Sequence, residues 1–95
     1  MGSYKLNEEA KMDLARIYWR GRLEYTEAQA DRYYEAFIKR FEELAEAPRK
    51  YQAVDHIREG YRRSVCGVDG IYYRLSGDMV EIMRILGQQD INEMD

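Results

Sequence analysis

A chain of 95 residues supports one hydrophobic core and not two, so a single domain is expected over 1–95. A hydrophobic fraction of 45% with 13% aromatic residues is enough to fill that core despite 35% charged residues, which excludes global disorder. The net charge of −3 argues against a protein that works by neutralising nucleic-acid phosphates, although a mildly basic second half precedes an acidic tail over 87–95.

Nine tyrosines supply much of the bulk, and their hydroxyls need partners, which places some of the rings at an interface. Cys66 is the only cysteine, so no intrachain disulfide can form and a reducing, cytoplasmic setting is expected. No apolar run approaches the roughly 20 residues a membrane-crossing helix needs, and the N-terminal segment lacks an apolar signal sequence.

Tyr4-Lys5-Leu6 reads as a short extended segment, followed by Asn7 as a helix cap with Glu8 and Glu9 in the first turn. Ala10, Leu14, Ile17, Tyr18, Gly21 and Tyr25 then recur at helical spacing. Lys11, Asp13, Arg16, Arg20 and Glu24 fall mostly off that stripe. Thr26-Glu27-Ala28-Gln29 fits a capping box and starts a second amphipathic helix, with Ala30, Tyr33, Tyr34, Phe37, Ile38, Phe41, Leu44 and Ala45 on its apolar face and Pro48 at its end. So short a connection makes the two helices an antiparallel hairpin.

From Arg49 to Glu59 the chain is polar and irregular, and beyond it the period shortens to that of strands. Tyr61–Cys66, Ile71–Leu75 and Met79–Leu86 are the strand candidates, with Asp69-Gly70 and Gly77-Asp78 as turn dipeptides between them. The fold class is therefore α+β: an N-terminal strand, then an antiparallel two-helix hairpin packed on a C-terminal antiparallel β-meander, since neither layer can bury its apolar side alone.

The chemistry-bearing residues are sparse. His56 is the only histidine and sits in a polar loop beside Asp55, where it reads as a solvated residue and not as a general base. One histidine and one cysteine ten residues apart cannot complete a tetrahedral metal set, so neither a metal nor a cofactor is expected. Cys66 reads as a small packing residue, and Met12, Met79 and Met83 as gap-fillers. The arginines Arg58, Arg62, Arg63, Arg74 and Arg84 read as partners for acids on neighbouring strands or on another protein. Of the aromatic pair Tyr18-Trp19, Tyr18 falls on the apolar stripe and is expected in the core. Trp19 is offset and suits contact with a partner.

Several segments, in this order and spacing, resemble the RelE/ParE toxin superfamily, and its ParE branch in particular. Ile57-Arg58-Glu59-Gly60-Tyr61-Arg62 is similar to the arginine and glycine lead-in to that family's second strand, and Gly67 with Ile71-Tyr72-Tyr73-Arg74 to its glycine and aromatic third strand. Val80-Glu81-Ile82-Met83-Arg84-Ile85-Leu86 resembles the last strand, and Gln89-Asp90-Ile91 the polar, acidic, apolar end of many members. Tyr4-Lys5-Leu6 and Glu27-Ala28-Gln29-Ala30-Asp31-Arg32-Tyr33 match as well. Many relatives place a histidine where this chain has Gly87.

The resemblance implies the toxin of a bacterial type II toxin–antitoxin system that traps DNA gyrase on cleaved DNA, without catalysis, and is neutralised by a ParD-like ribbon-helix-helix antitoxin. Partner contacts are expected at Trp19, Arg58, Arg62, Arg74 and Arg84, and target contact through the exposed tail residues Gln88, Gln89, Asp90 and Ile91, where family members differ. The expected antitoxin receiver combines an apolar groove along the hairpin with a basic rim near Arg58, Arg62 and Arg74, which an acidic amphipathic peptide would meet with apolar area and opposite charge. The alternatives are a RelE-like ribosome-dependent mRNA endonuclease, disfavoured because Gly87-Gln88-Gln89-Asp90 offers neither cation nor aromatic group, and a non-toxic relative that retains antitoxin binding.

Overall fold

The computed structural model describes residues 2–87. Strand β1 (Ser3–Leu6) leads into α1 (Glu8–Glu24), and α2 (Glu27–Glu46) follows. Asn7 caps α1 by accepting the Ala10 N–H at 2.9 Å, and Thr26 caps α2 by accepting the Gln29 N–H at 3.1 Å. Only Tyr25 and Thr26 separate the helices, so the hairpin expected from the capping signal is present. Beyond it come β2 (Gln52–Ala53), β3 (Tyr61–Cys66), β4 (Asp69–Ser76) and β5 (Met79–Gly87).

The three-strand meander lies inside a larger sheet of order β1-β5-β4-β3-β2. Strand β1 pairs parallel with β5, from Ser3 opposite Met79 to Leu6 opposite Ile82, while the other pairings are antiparallel. The polar stretch expected to be irregular contributes Gln52 and Ala53 as a short edge strand against Arg63 and Arg62. Two residues without apolar alternation leave no periodic signal, and their pairing is decided by the neighbouring strand.

Of the two turn dipeptides, Gly77-Asp78 is a turn, with Gly77 at φ 64°. Asp69-Gly70 is not. The β3–β4 turn is Gly67-Val68, with Gly67 at φ 62°, and Asp69 and Gly70 already pair with Cys66 and Val65. Gly67 supplies the positive φ two residues earlier than expected, which frees Asp69 to turn its carboxylate inward.

Alternation assigns the two sheet faces. Ile71 and Tyr73 of β4, with Val80, Ile82 and Ile85 of β5, pack against Leu14 and Ile17 of α1 and Phe37, Phe41 and Leu44 of α2. Tyr72 points the other way and forms a smaller cluster with Val54, Tyr61 and Leu86, against which Ile57 and Met83 pack. The segment expected to be a plain polar loop therefore covers part of the sheet's reverse face. A register shift between Tyr72 and Tyr73 leaves Met83 of β5 without an opposite residue in β4.

Candidate protein-binding site

Beyond Leu6 the strand β1 stops while β5 continues, so the β5 backbone would be left with an open edge. Helix α1 closes it. Asp13 Oδ2 accepts the Ile85 N–H at 2.9 Å and the Arg84 Nε–H at 2.7 Å, and Arg16 donates to the Ile85 carbonyl at 3.2 Å. Asp13 is only 5% exposed, although its charge had placed it off the buried stripe. Its carboxylate replaces a missing strand, a role that helical periodicity does not reveal.

The same device closes β3 beyond the short β2. Arg40 of α2 donates at 2.7 Å to both Ser64 Oγ and the Val65 carbonyl. Arg74 pairs with Glu81 at 2.9 Å, and Arg62 donates to the Tyr51 carbonyl at 2.7 Å. Arg63 reaches the Tyr72 hydroxyl at 3.4 Å, and the Arg58 guanidinium lies over the Tyr61 ring at 5.9 Å. Pairing of Arg74 and Arg84 with acids on neighbouring elements is thus observed. The tail positions Gln88, Gln89, Asp90 and Ile91 lie outside the described residues.

The hairpin tip runs past the sheet and leaves a cavity of about 540 Å³ beneath it. Its walls include Leu14 and Ile17 of α1, Tyr33, Tyr34 and Phe37 of α2, and the Gly67-Val68 turn. Tyr18, expected in the core, is only partly buried; its hydroxyl donates to Asp31 Oδ1 at 2.7 Å and its ring stands edge-on to Tyr34. Apolar spacing identifies the inward face of a helix but not where the opposing sheet ends, which explains the open rings at the tip. Arg58, Arg62, Arg74 and Arg84 do not line this cavity. The first three sit at the end of the sheet where Tyr61 pairs with Arg74, away from the Gly67-Val68 turn that lines the cavity.

At the cavity's inner end Asp69 is 1% exposed. The Tyr33 hydroxyl lies 2.9 Å from Asp69 Oδ2 and 2.9 Å from the Cys66 carbonyl, and it also receives the Val68 N–H. Burial, followed by the bond to Asp69, pushes the Tyr33 hydroxyl well above the ordinary tyrosine range. No described group hydrogen-bonds Asp69 Oδ1. An aspartate before a glycine has the ordinary composition of a tight turn, so the sequence carries no sign that Asp69 is buried.

On the outer side of α1, Trp19 is 57% exposed with the Arg22 guanidinium 5.1 Å from its ring, and Met12 and Leu23 are exposed as well. Met12 is therefore no core gap-filler. His56 is exposed in the loop, as expected, and Cys66 is buried in the main core, where burial pushes its thiol upward. Among the described residues no group of His, Cys, Asp and Glu could hold a metal ion, and no helix is long and apolar enough to cross a membrane.

A helical hairpin on one face of a five-stranded mixed sheet is an α+β arrangement of the ParE-like kind. Residues 4–92 match the family model described as the ParE toxin of the type II toxin-antitoxin system parDE. The chain is 35% identical over 88 residues to Toxin ParE1 of Caulobacter vibrioides, covering 93% of this chain and 91% of that one. The chain belongs to the ParE toxin family of type II toxin–antitoxin systems. Its fold is similar to a solved structure described as the chromosomal ParDE system from P. aeruginosa, with a TM-score of 0.80 at 19% identity, covering 92% of this chain and 96% of the other.

Proposed function

We propose that this ParE-family chain acts in the bacterial cytoplasm by holding DNA gyrase on cleaved DNA, without turning over a substrate. A ParD-like ribbon-helix-helix antitoxin keeps it inactive by folding a flexible C-terminal segment onto the hairpin. The observation that carries this reading is the family match over residues 4–92, which reaches every element of the fold.

The surface chemistry supports it. Arg84 and Arg74 are engaged with Asp13 and Glu81, so two of the cations that a phosphate-stabilising site on the sheet would need already have internal partners. The hairpin presents apolar area instead, at the tip cavity and at Trp19, which suits an amphipathic segment that orders on binding. Trp19 is the proposed outer anchor.

The test adds purified protein to gyrase with supercoiled DNA and, separately, to translating ribosomes. Accumulation of cleaved DNA with intact mRNA is expected. Cleaved mRNA with untouched DNA would move the chain to the RelE-like reading, and neither product would make it a non-toxic relative. Co-expression with the small open reading frame beside the gene, purified by a tag on one partner, should recover both proteins and restore growth.

A further inference from the structure

We infer that the cavity at the hairpin tip is a receptor for a guanidinium group, an arginine side chain of the partner segment, with Asp69 as its counter-charge and the tyrosines as its walls. The inference rests on the reading that a partner segment folds onto the hairpin, and it adds the chemistry by which that segment is anchored.

Three observations converge. Asp69 is buried and lines the cavity, its Oδ2 lies against Tyr33, and no described group fills Oδ1. A buried acceptor oxygen left without a donor is rare, and a ligand that brings the donor supplies what the described residues do not. The walls are aromatic: Tyr18 and Tyr34 meet edge-on at 5.8 Å, Tyr33 and Phe37 at 4.8 Å, and Tyr25 stands exposed at the rim. Such rings favour a cation over their faces, and a guanidinium more than an ammonium because it is planar and weakly hydrated.

The charge balance agrees. The lining holds two carboxylates, Glu24 and Asp69, against one guanidinium, Arg20. An acidic anchor would meet Asp69 with like charge, and a purely apolar one would leave its oxygen unfilled. An arginine lays its methylene stem along Leu14 and Ile17 and carries its head to the carboxylate. The cavity, at about 540 Å³, has the size of a ligand pocket and exceeds what a single methyl group fills.

The test uses the full chain, isotope-labelled for amide NMR, and n-butylguanidinium as the probe, with n-pentanol as an uncharged control. Saturable shifts at Gly67, Val68 and Tyr33 in the millimolar range are expected for the guanidinium and at least tenfold weaker ones for the alcohol. Asp69→Asn keeps the side chain's shape and should weaken the probe at least tenfold. Tyr34→Leu, at a ring that is 41% exposed, should weaken the guanidinium and leave the alcohol unchanged. Equal binding of both probes overturns the inference. So does unaltered guanidinium binding in a folded Asp69→Asn or, should that variant not fold, in Tyr34→Leu. In the co-purification assay, retention of the antitoxin by Asp69→Asn with unchanged affinity sinks this anchor while leaving the partner reading intact. Failure of the wild-type chain to co-purify removes the partner reading, and the probe titration then decides the guanidinium site alone.

Discussion

Asp13 carries more structural responsibility than its place on the helix suggests. Its carboxylate accepts from the Ile85 backbone and from Arg84, whose side chain is itself mostly buried. Asp13→Ala would take the acceptor from the Ile85 N–H and the nearest carboxylate from Arg84, which keeps Glu9 at 3.6 Å, at a cost of about 3 kcal/mol, read by urea denaturation. A loss below half of that would mean that water replaces the carboxylate without penalty. Tyr73 is a second buried polar residue, donating to the Pro48 carbonyl at 2.7 Å, and burial pushes its hydroxyl up to about 12. A folded-state value raised above the usual 10 favours the neutral phenol, so the stability it gives is complete below pH 10 and is lost as pH rises towards 12. Melts from pH 8 upward should show that decline, and Tyr73→Phe should flatten part of it while losing about 1 kcal/mol at neutral pH. An identical alkaline slope in the variant would assign the decline to other groups.

At the scale of elements, the hairpin and the β3–β4 turn each depend on a local signal. Thr26→Ala removes the acceptor of the Gln29 N–H and should lower stability by about 1 kcal/mol, with the denaturation midpoint as the measure. Gly67→Ala is expected to cost more. The residue sits at φ 62°, and an added Cβ would lie 2.5 Å from the Tyr33 hydroxyl, the group that ties α2 to the turn. A loss of about 1–3 kcal/mol, accompanied by shifted Tyr33 and Val68 resonances, would show that strain and displacement act together. An unshifted Tyr33 would confine the effect to the backbone.

The whole molecule is a two-layer structure in which each helix does two things. Its apolar face fills the core, and its polar residues, Asp13 and Arg16 on α1 and Arg40 on α2, finish strand edges that β1 and β2 are too short to pair. The stretches of β5 and β3 closed in this way offer little to another strand. Phe37 stands at the junction of both layers, fully buried against Tyr33 and Phe41. Phe37→Ala should cost about 3–5 kcal/mol and lower co-purification with the antitoxin by collapsing the cavity wall. A loss under 1 kcal/mol in a denaturant melt would contradict the burial.

The sequence alone determined the elements whose signals are local: the Asn7 and Thr26 caps, the apolar faces around Leu14 and Phe37, the Gly77 turn and the ordered motifs of the ParE family. Each depends on residues within a few positions of one another, so periodicity and capping chemistry can be read directly. What only the tertiary structure decided involves distant partners. The parallel pairing of β1 with β5 joins Ser3 to Met79, Asp13 is buried because Ile85 lacks a neighbouring strand, and Tyr18 is uncovered because the sheet ends before the hairpin does. Asp69 shows both sides: an Asp-Gly dipeptide is a sound local turn signal, yet Gly67 supplied the turn and Tyr33, 36 positions away, holds the carboxylate inside. Local chemistry sets what a residue can do, and the long-range packing that selects among those options is written in no short stretch of sequence.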